Sequence, residues 1–123
     1  LLWGKLIINA AINPLTALLR VPNGALLERP DARLLMGELA RETAAVARAL
    51  GVTLPFDDPA AAAEAVARKT ASNHSSMAQD ILRGAPTEID AICGAVARAA
   101  DRCGMTAPLN TVMWRLVRAV QKE

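Results

Sequence analysis

Lys5, Asn9 and Asn13 follow one another at intervals of four in an opening segment whose gaps are filled by Leu6, Ile7, Ile8, Ala10, Ala11 and Ile12. Residues four apart on a helix lie nearly above one another, so one ammonium and two carboxamides form a polar stripe on an apolar rod. Burying such groups is costly unless something hydrogen-bonds them, and a ligand is one such partner. A lysine among apolar side chains gives up its proton more readily than one in water, which suits it to proton transfer. The carboxamides offer donors and acceptors, so they can orient an oxygen-rich small molecule. The competing account is that a buried Asn only satisfies neighbouring backbone.

Two further places depart from a pattern of core and solvated faces. Ser75 and Ser76 precede a short helix expected at 77–82, where free N–H groups and the helix dipole favour a carboxylate or phosphate. A plain serine N-cap is the simpler account. His74, in the same polar interlude, is a candidate base, although a lone His in a polar loop is commonly just solvated. Glu88, within Thr87-Glu88-Ile89-Asp90, falls in the first turn of another expected helix, where an acid gains from the dipole without any ligand. Cys93 and Cys103 lie on one expected helix with backbones roughly 15 Å apart. That exceeds the reach of about 7 Å for a disulfide, and unpaired thiols fit a reducing, cytoplasmic setting. A single His, no paired thiolates and no carboxylate cluster leave no metal site.

The elements that must position these groups are helical. Alanine supplies 26 of the 123 residues, and two Trp, one Phe and no Tyr imply an aliphatic core. The first helix is expected over 2–12. Asn13-Pro14 reads as a cap and first-turn proline that start a second, short helix over 15–19. Val21-Pro22-Asn23-Gly24 is a turn. A long helix over 32–50 carries Leu35, Leu39, Val46 and Leu50 on its buried stripe, with Gly51 as its stop. An extended connection leads to a helix over 60–70 begun by Asp58-Pro59, and the short helix over 77–82 follows. Thr87 caps a helix with a stripe of Ile89, Ile92, Cys93, Val96 and Ala100, ended at Gly104. The last helix follows Pro108 and repeats Leu109, Val112, Met113, Leu116, Val117 and Val120. The expectation is a single all-α domain over 1–123, a compact bundle of six or seven helices.

A net charge of +2 with scattered basic residues argues against nucleic acid as a partner. No secretory signal is visible, and the polar stripe argues against a membrane span. The chain begins without Met and inside an apparent helix, so it reads as a piece of something longer.

Four blocks taken in order are Lys5-x3-Asn9-x3-Asn13-Pro14-Leu15-Thr16, Asn23-Gly24, Asn73-x-Ser75-Ser76-Met77-x-Gln79-Asp80 and Thr87-Glu88-Ile89-Asp90. Together they resemble the C-terminal domain of ketopantoate reductase (2-dehydropantoate 2-reductase), whose fold is like that of 6-phosphogluconate dehydrogenase. The resemblance spans essentially the whole chain, including Gly104 and the Pro108-Leu109-Asn110-Thr111 start of the last helix. It implies an NADPH-dependent reduction of 2-dehydropantoate to pantoate, a step toward pantothenate and coenzyme A. By the resemblance, Lys5 matches the general acid, and Asn9, Asn13 and Asn23 match substrate-binding positions. Ser76, with Met77 and Gln79, matches the part that holds the substrate and its carboxylate. Glu88 matches an acid where substrate meets cofactor.

The resemblance also implies partners. A Rossmann domain of the same polypeptide or complex holds NADPH, and a homodimer is compatible with the family. This chain has no strand followed by G-x-G-x-x-G, so that domain is expected to be missing from it and the chain alone to be inactive. The alternatives are a non-catalytic helical dimerisation or interaction module of the same fold, and a reductase of another 2-oxo acid.

Overall fold

The computed structural model describes residues 2–121. Among the described residues the regular structure is entirely helical. It comprises α1 (Trp3–Leu19), α2 (Ala25–Glu28), α3 (Pro30–Ala49), α4 (Pro59–Lys69), α5 (Ser76–Leu82), a 3-10 turn (Ile89–Ala91), α6 (Cys93–Arg102) and α7 (Pro108–Val120). The all-α bundle expected from composition is what forms.

The centre of the bundle is α1, which packs against α3, α4, α5 and α7. Every residue from 10 to 17 is buried. The sequence predicts a break at Asn13-Pro14, and here the structure differs, because one helix runs through it. Proline removes the hydrogen bond to the carbonyl of Ala10 and costs a helix interior about 3 kcal/mol. Burial on all sides outweighs that local signal, since Ile12, Leu15 and Ala17 are all in the core around Pro14. The helix ends at Arg20, which takes the left-handed conformation (φ 57°) with its N–H on the carbonyl of Thr16.

The remaining elements follow their sequence signals with some shifts. In α3, Leu39 and Val46 are buried as expected, Leu35 is half-buried and Leu50 exposed, while Met36, Ala40, Thr43, Ala44 and Ala47 complete the core face. Gly51 stops it with φ +80°. Asp58 caps α4 by accepting a hydrogen bond from the N–H of Ala61. The one-turn helix α2 was not expected.

The helix expected from Thr87 onward is two pieces, a 3-10 turn and α6, joined at Ile92 (φ −103°, ψ −89°). Ile89, Ile92, Cys93, Val96 and Ala100 are nevertheless all buried, as their spacing predicts. The piece before the joint is tied to α7: Thr87, ahead of the turn, bonds to Gln121 at the C-cap of α7, and Asp90, within the turn, bonds to Trp114.

In α7, Met113 and Val117 are buried, whereas Val112, Leu116 and Val120 are more than two-fifths exposed. Its first turn has no side-chain cap of its own. Glu42 of α3 supplies one, accepting from the N–H of Leu109 (3.0 Å), the N–H of Asn110 (2.8 Å) and Asn110 Nδ2 (2.9 Å). Both cysteines are free. Burial, with the Glu42 carboxylate adding to it, pushes the Cys93 thiol up to about 12.

Candidate active site

Because α1 is continuous, Lys5, Asn9 and Asn13 remain on one face, with about 12 Å of helix rise from first to last. Their exposure falls along it: Lys5 is exposed, Asn9 half-buried and Asn13 buried. Lys5 therefore stands at the open tip of the stripe, and the apolar surroundings expected for it are absent on its outer side.

A groove of about 250 Å³ opens at that tip. Lys5 and Asn9 line it from α1, and Glu88 lines it from just before the 3-10 turn. Leu2, Leu6, Ala91 and Ile92 form its apolar surface. An ammonium and a carboxamide from the start of the chain thus share one cleft with a carboxylate about eighty positions later. Among the described residues, none of these three side chains has a hydrogen-bond or ion-pair partner within the protein, although the backbone carbonyl of Glu88 accepts from the N–H groups of Ala91 and Ile92. All three are free to meet a ligand.

A second group gathers around the buried half of α1. The hydroxyl of Thr16 donates to the carbonyl of Asn13 (3.0 Å) and shares a 2.7 Å hydrogen bond with Ser75. Ser75 is the N-cap of α5, accepting from the N–H of Ala78 (3.0 Å). Ser75 thus satisfies its own helix, and Ser76, the first residue of α5, is exposed. Asn23 is anchored by its N–H to the carbonyl of Asn73 (2.9 Å) and by Nδ2 to the hydroxyl of Thr70 (3.0 Å). Its Oδ1 is buried with no partner among the described residues.

The other expected positions fall less directly on the site. Met77 is in the core, 2% exposed, so contact from it to a ligand passes through its backbone. Gln79 is exposed and donates to the carbonyl of His74 (3.1 Å), and His74 itself is exposed in the loop. No group of three or more His, Cys, Asp or Glu that could hold a metal occurs among the described residues. Ser75 was foreseen as a cap, but its bond to Thr16 and the support from Thr70 were not. The residues these two bonds join lie tens of positions apart, and no local spacing announces them.

The sequence matches the family described as ketopantoate reductase PanE/ApbA, C terminal, over residues 1–121. The chain belongs to this family. Among ketopantoate reductase relatives, the 2-dehydropantoate 2-reductase of Pyrobaculum aerophilum is 44% identical over 117 residues, covering 95% of this chain and 42% of that protein. The Archaeoglobus fulgidus counterpart is 37% identical, covering 98% of this chain and 40% of that protein. The chain therefore spans about two fifths of the length of the curated relatives it matches. A ketopantoate reductase structure from Ralstonia eutropha JMP134 superposes with a TM-score of 0.88 at 41% identity, over 96% of this chain and 39% of that one. A D-mandelate dehydrogenase in ternary complex with NADH and anilino(oxo)acetate superposes with a TM-score of 0.87 at 26% identity, over 96% of this chain and 50% of that one.

Proposed function

We propose that this chain is the substrate-binding and catalytic part of an NADPH-dependent 2-dehydropantoate 2-reductase, reducing the ketone of 2-dehydropantoate to the alcohol of pantoate. The observation that carries the reading is the groove in which Lys5 and Asn9 meet Glu88. A dinucleotide-binding domain in the same polypeptide or complex holds NADPH. The residues on this side fit such a cofactor, since the Glu88 carboxylate faces the groove with no protein partner among the described residues and can accept hydrogen bonds from hydroxyl groups. Reduced nicotinamide supplies a hydride to the substrate carbonyl carbon.

The chain's own residues do the rest. Lys5 Nζ donates the proton to the carbonyl oxygen and stabilises the negative charge that develops there. Asn9 and Asn13, one and two turns further along α1, orient the oxygens of the substrate. Asn23 closes the buried end, and Ser76, with backbone from Met77 and side chain from Gln79, holds the substrate carboxylate. The two free cysteines and the biosynthetic reaction fit a cytoplasmic location.

The test is reductase activity of the polypeptide carrying this chain with a dinucleotide-binding domain, followed as ketopantoate-dependent loss of NADPH absorbance. Lys5→Ala is expected to lower kcat by at least about a hundredfold, with no loss of thermal stability because Lys5 is exposed. Undiminished turnover in that variant refutes the role of Lys5. A second reading, reduction of another 2-oxo acid, is favoured by the close superposition on D-mandelate dehydrogenase. A panel of branched and aryl 2-oxo acids, ranked by kcat/KM, separates the two. A Staphylococcus aureus relative of 28% identity is described as a dimeric ketopantoate reductase, and we propose the same state here, to be checked by light scattering.

A further inference from the structure

Glu88 sits on a short segment outside the regular helices, anchored below by the buried Ile89 and Ile92. The 3-10 turn after it is three residues long. The joint at Ile92 (φ −103°, ψ −89°) interrupts the helix, so α6 holds the turn only through the Ile92 N–H on the Glu88 carbonyl and through Arg98, which donates to the carbonyl of Asp90 at 2.9 Å. On the other side lies a loop containing Gly84 at φ +72°. Both sides of Glu88 are tied down, and the side-chain ties lead to α7, where Arg118 also pairs with Asp90 at 3.8 Å. Thr87 donates its N–H (3.1 Å) and its hydroxyl to Oε1 of Gln121, at the C-terminal cap of α7. Asp90 accepts from the indole N–H of Trp114 on α7 at 2.5 Å.

Trp114 is itself held firmly. The guanidinium groups of Arg115 (4.7 Å) and Arg98 (5.7 Å) both lie over its ring. Its edge rests on Gly94, where an added Cβ would come within 3.0 Å of the ring. Packing of α6 on α7 would require only the ring. The indole nitrogen aimed at a carboxylate two residues after Glu88 is a separate feature, and its direction is set by that confinement.

Building on the reading of Glu88 given above, we infer that α7 positions Glu88 through two tethers, Trp114 to Asp90 and Gln121 to Thr87. Trp114 and Gln121 are thus positioning residues for the reduction, acting through Glu88 from outside the groove. Breaking either tether lets the turn drift and misplaces the carboxylate, while the apolar seam between α6 and α7 stays closed.

The experiment is steady-state kinetics on the polypeptide carrying this chain with its dinucleotide-binding domain, using NADPH and the preferred 2-oxo acid. Trp114→Phe keeps an aromatic ring against Gly94 and removes the N–H. Gln121→Leu keeps bulk and removes the acceptor. Each is expected to lower kcat/KM by about tenfold, the size of coupling between residues in one network. In the Glu88→Gln background neither should lower it further by more than about twofold. Asp90→Asn retains an acceptor for Trp114 and loses only the exposed Arg118 pair, so it should cost less than Asp90→Ala, which should lose at least as much as Trp114→Phe. Equal losses with and without the Glu88 carboxylate, or no loss in either tether variant, overturn the inference and leave the role of Glu88 standing. If Glu88→Gln alone leaves turnover unchanged, the reading of Glu88 fails and the inference falls with it.

Discussion

Removing the carboxylate of Glu42 should destabilise the domain by about 3 kcal/mol, and the figure can be worked bond by bond. Oε2 accepts from the N–H of Leu109 at 3.0 Å, and Oε1 accepts from the N–H and side chain of Asn110 at 2.8 and 2.9 Å. Glu42→Ala strands the first two at the start of α7, where the helix dipole also favours a negative charge. Leu109 is half-buried, so water can replace its lost bond at a cost of about 1 kcal/mol. Asn110 is fully buried, so its N–H is left dry, which adds roughly 1–3 kcal/mol. Its side chain retains the hydroxyl of Thr43 at 3.1 Å, which limits the loss there. Glu42→Gln keeps one acceptor but turns an amide NH2 toward a backbone donor, and should fall between the two. At an m-value of about 1.5 kcal/mol per M of urea, the alanine variant loses roughly 2 M in its unfolding midpoint. Far-UV circular dichroism against urea is the assay. A loss below about 1 kcal/mol in Glu42→Ala would mean that water reaches Asn110, and would refute the reasoning.

Gly24→Ala should destabilise by about 1–3 kcal/mol, because its Cβ would lie 2.5 Å from Cβ and 2.9 Å from Cα of Ala71. The turn would have to separate from 71–73, and Asn23 with it, so under the proposed role of Asn23 substrate KM should rise alongside the fall in melting temperature. Cys93 yields a pH prediction. Its thiol is raised in the folded chain from 9.0 to about 12, so the unfolded state loses this proton first. The stabilisation it confers is whole below pH 9 and disappears as pH climbs to about 12. Cys93→Ala should flatten the alkaline decline in denaturation midpoint, and an unchanged slope would contradict the assignment. Native Cys93 should also resist alkylating reagents at neutral pH and react only on unfolding, as mass spectrometry would read.

The stripes of apolar residues were legible because their partners are on the same helix. Leu39, Val46, Ile89 and Val96 could be assigned to the core from spacing alone, and all four are buried. The Lys5-Asn9-Asn13 stripe was legible for the same reason. The opposite error arose at Pro14, where a local stop signal met a segment buried on every side, a condition set by α3, α4, α5 and α7 together. Spacing likewise placed Val112, Leu116 and Val120 inside, where the fold leaves them partly exposed. Nothing near Asn110 announces that a glutamate 68 positions earlier will cap its helix. That Glu88 faces Lys5 was reachable from the order of the motif blocks, through resemblance, and not from periodicity. The hold of Trp114 on Asp90 had no sequence signal at all.

The fall in exposure from Lys5 to Asn13 separates two kinds of evolutionary freedom. At the tip, a substitution alters the groove while the fold does not register it, so a lineage can rewrite the exposed end in one step and keep a sound domain. At the root, any change is filtered by folding before it can be tried for function. Relatives of this fold should therefore diverge first at the mouth of the groove and last along the buried half of α1.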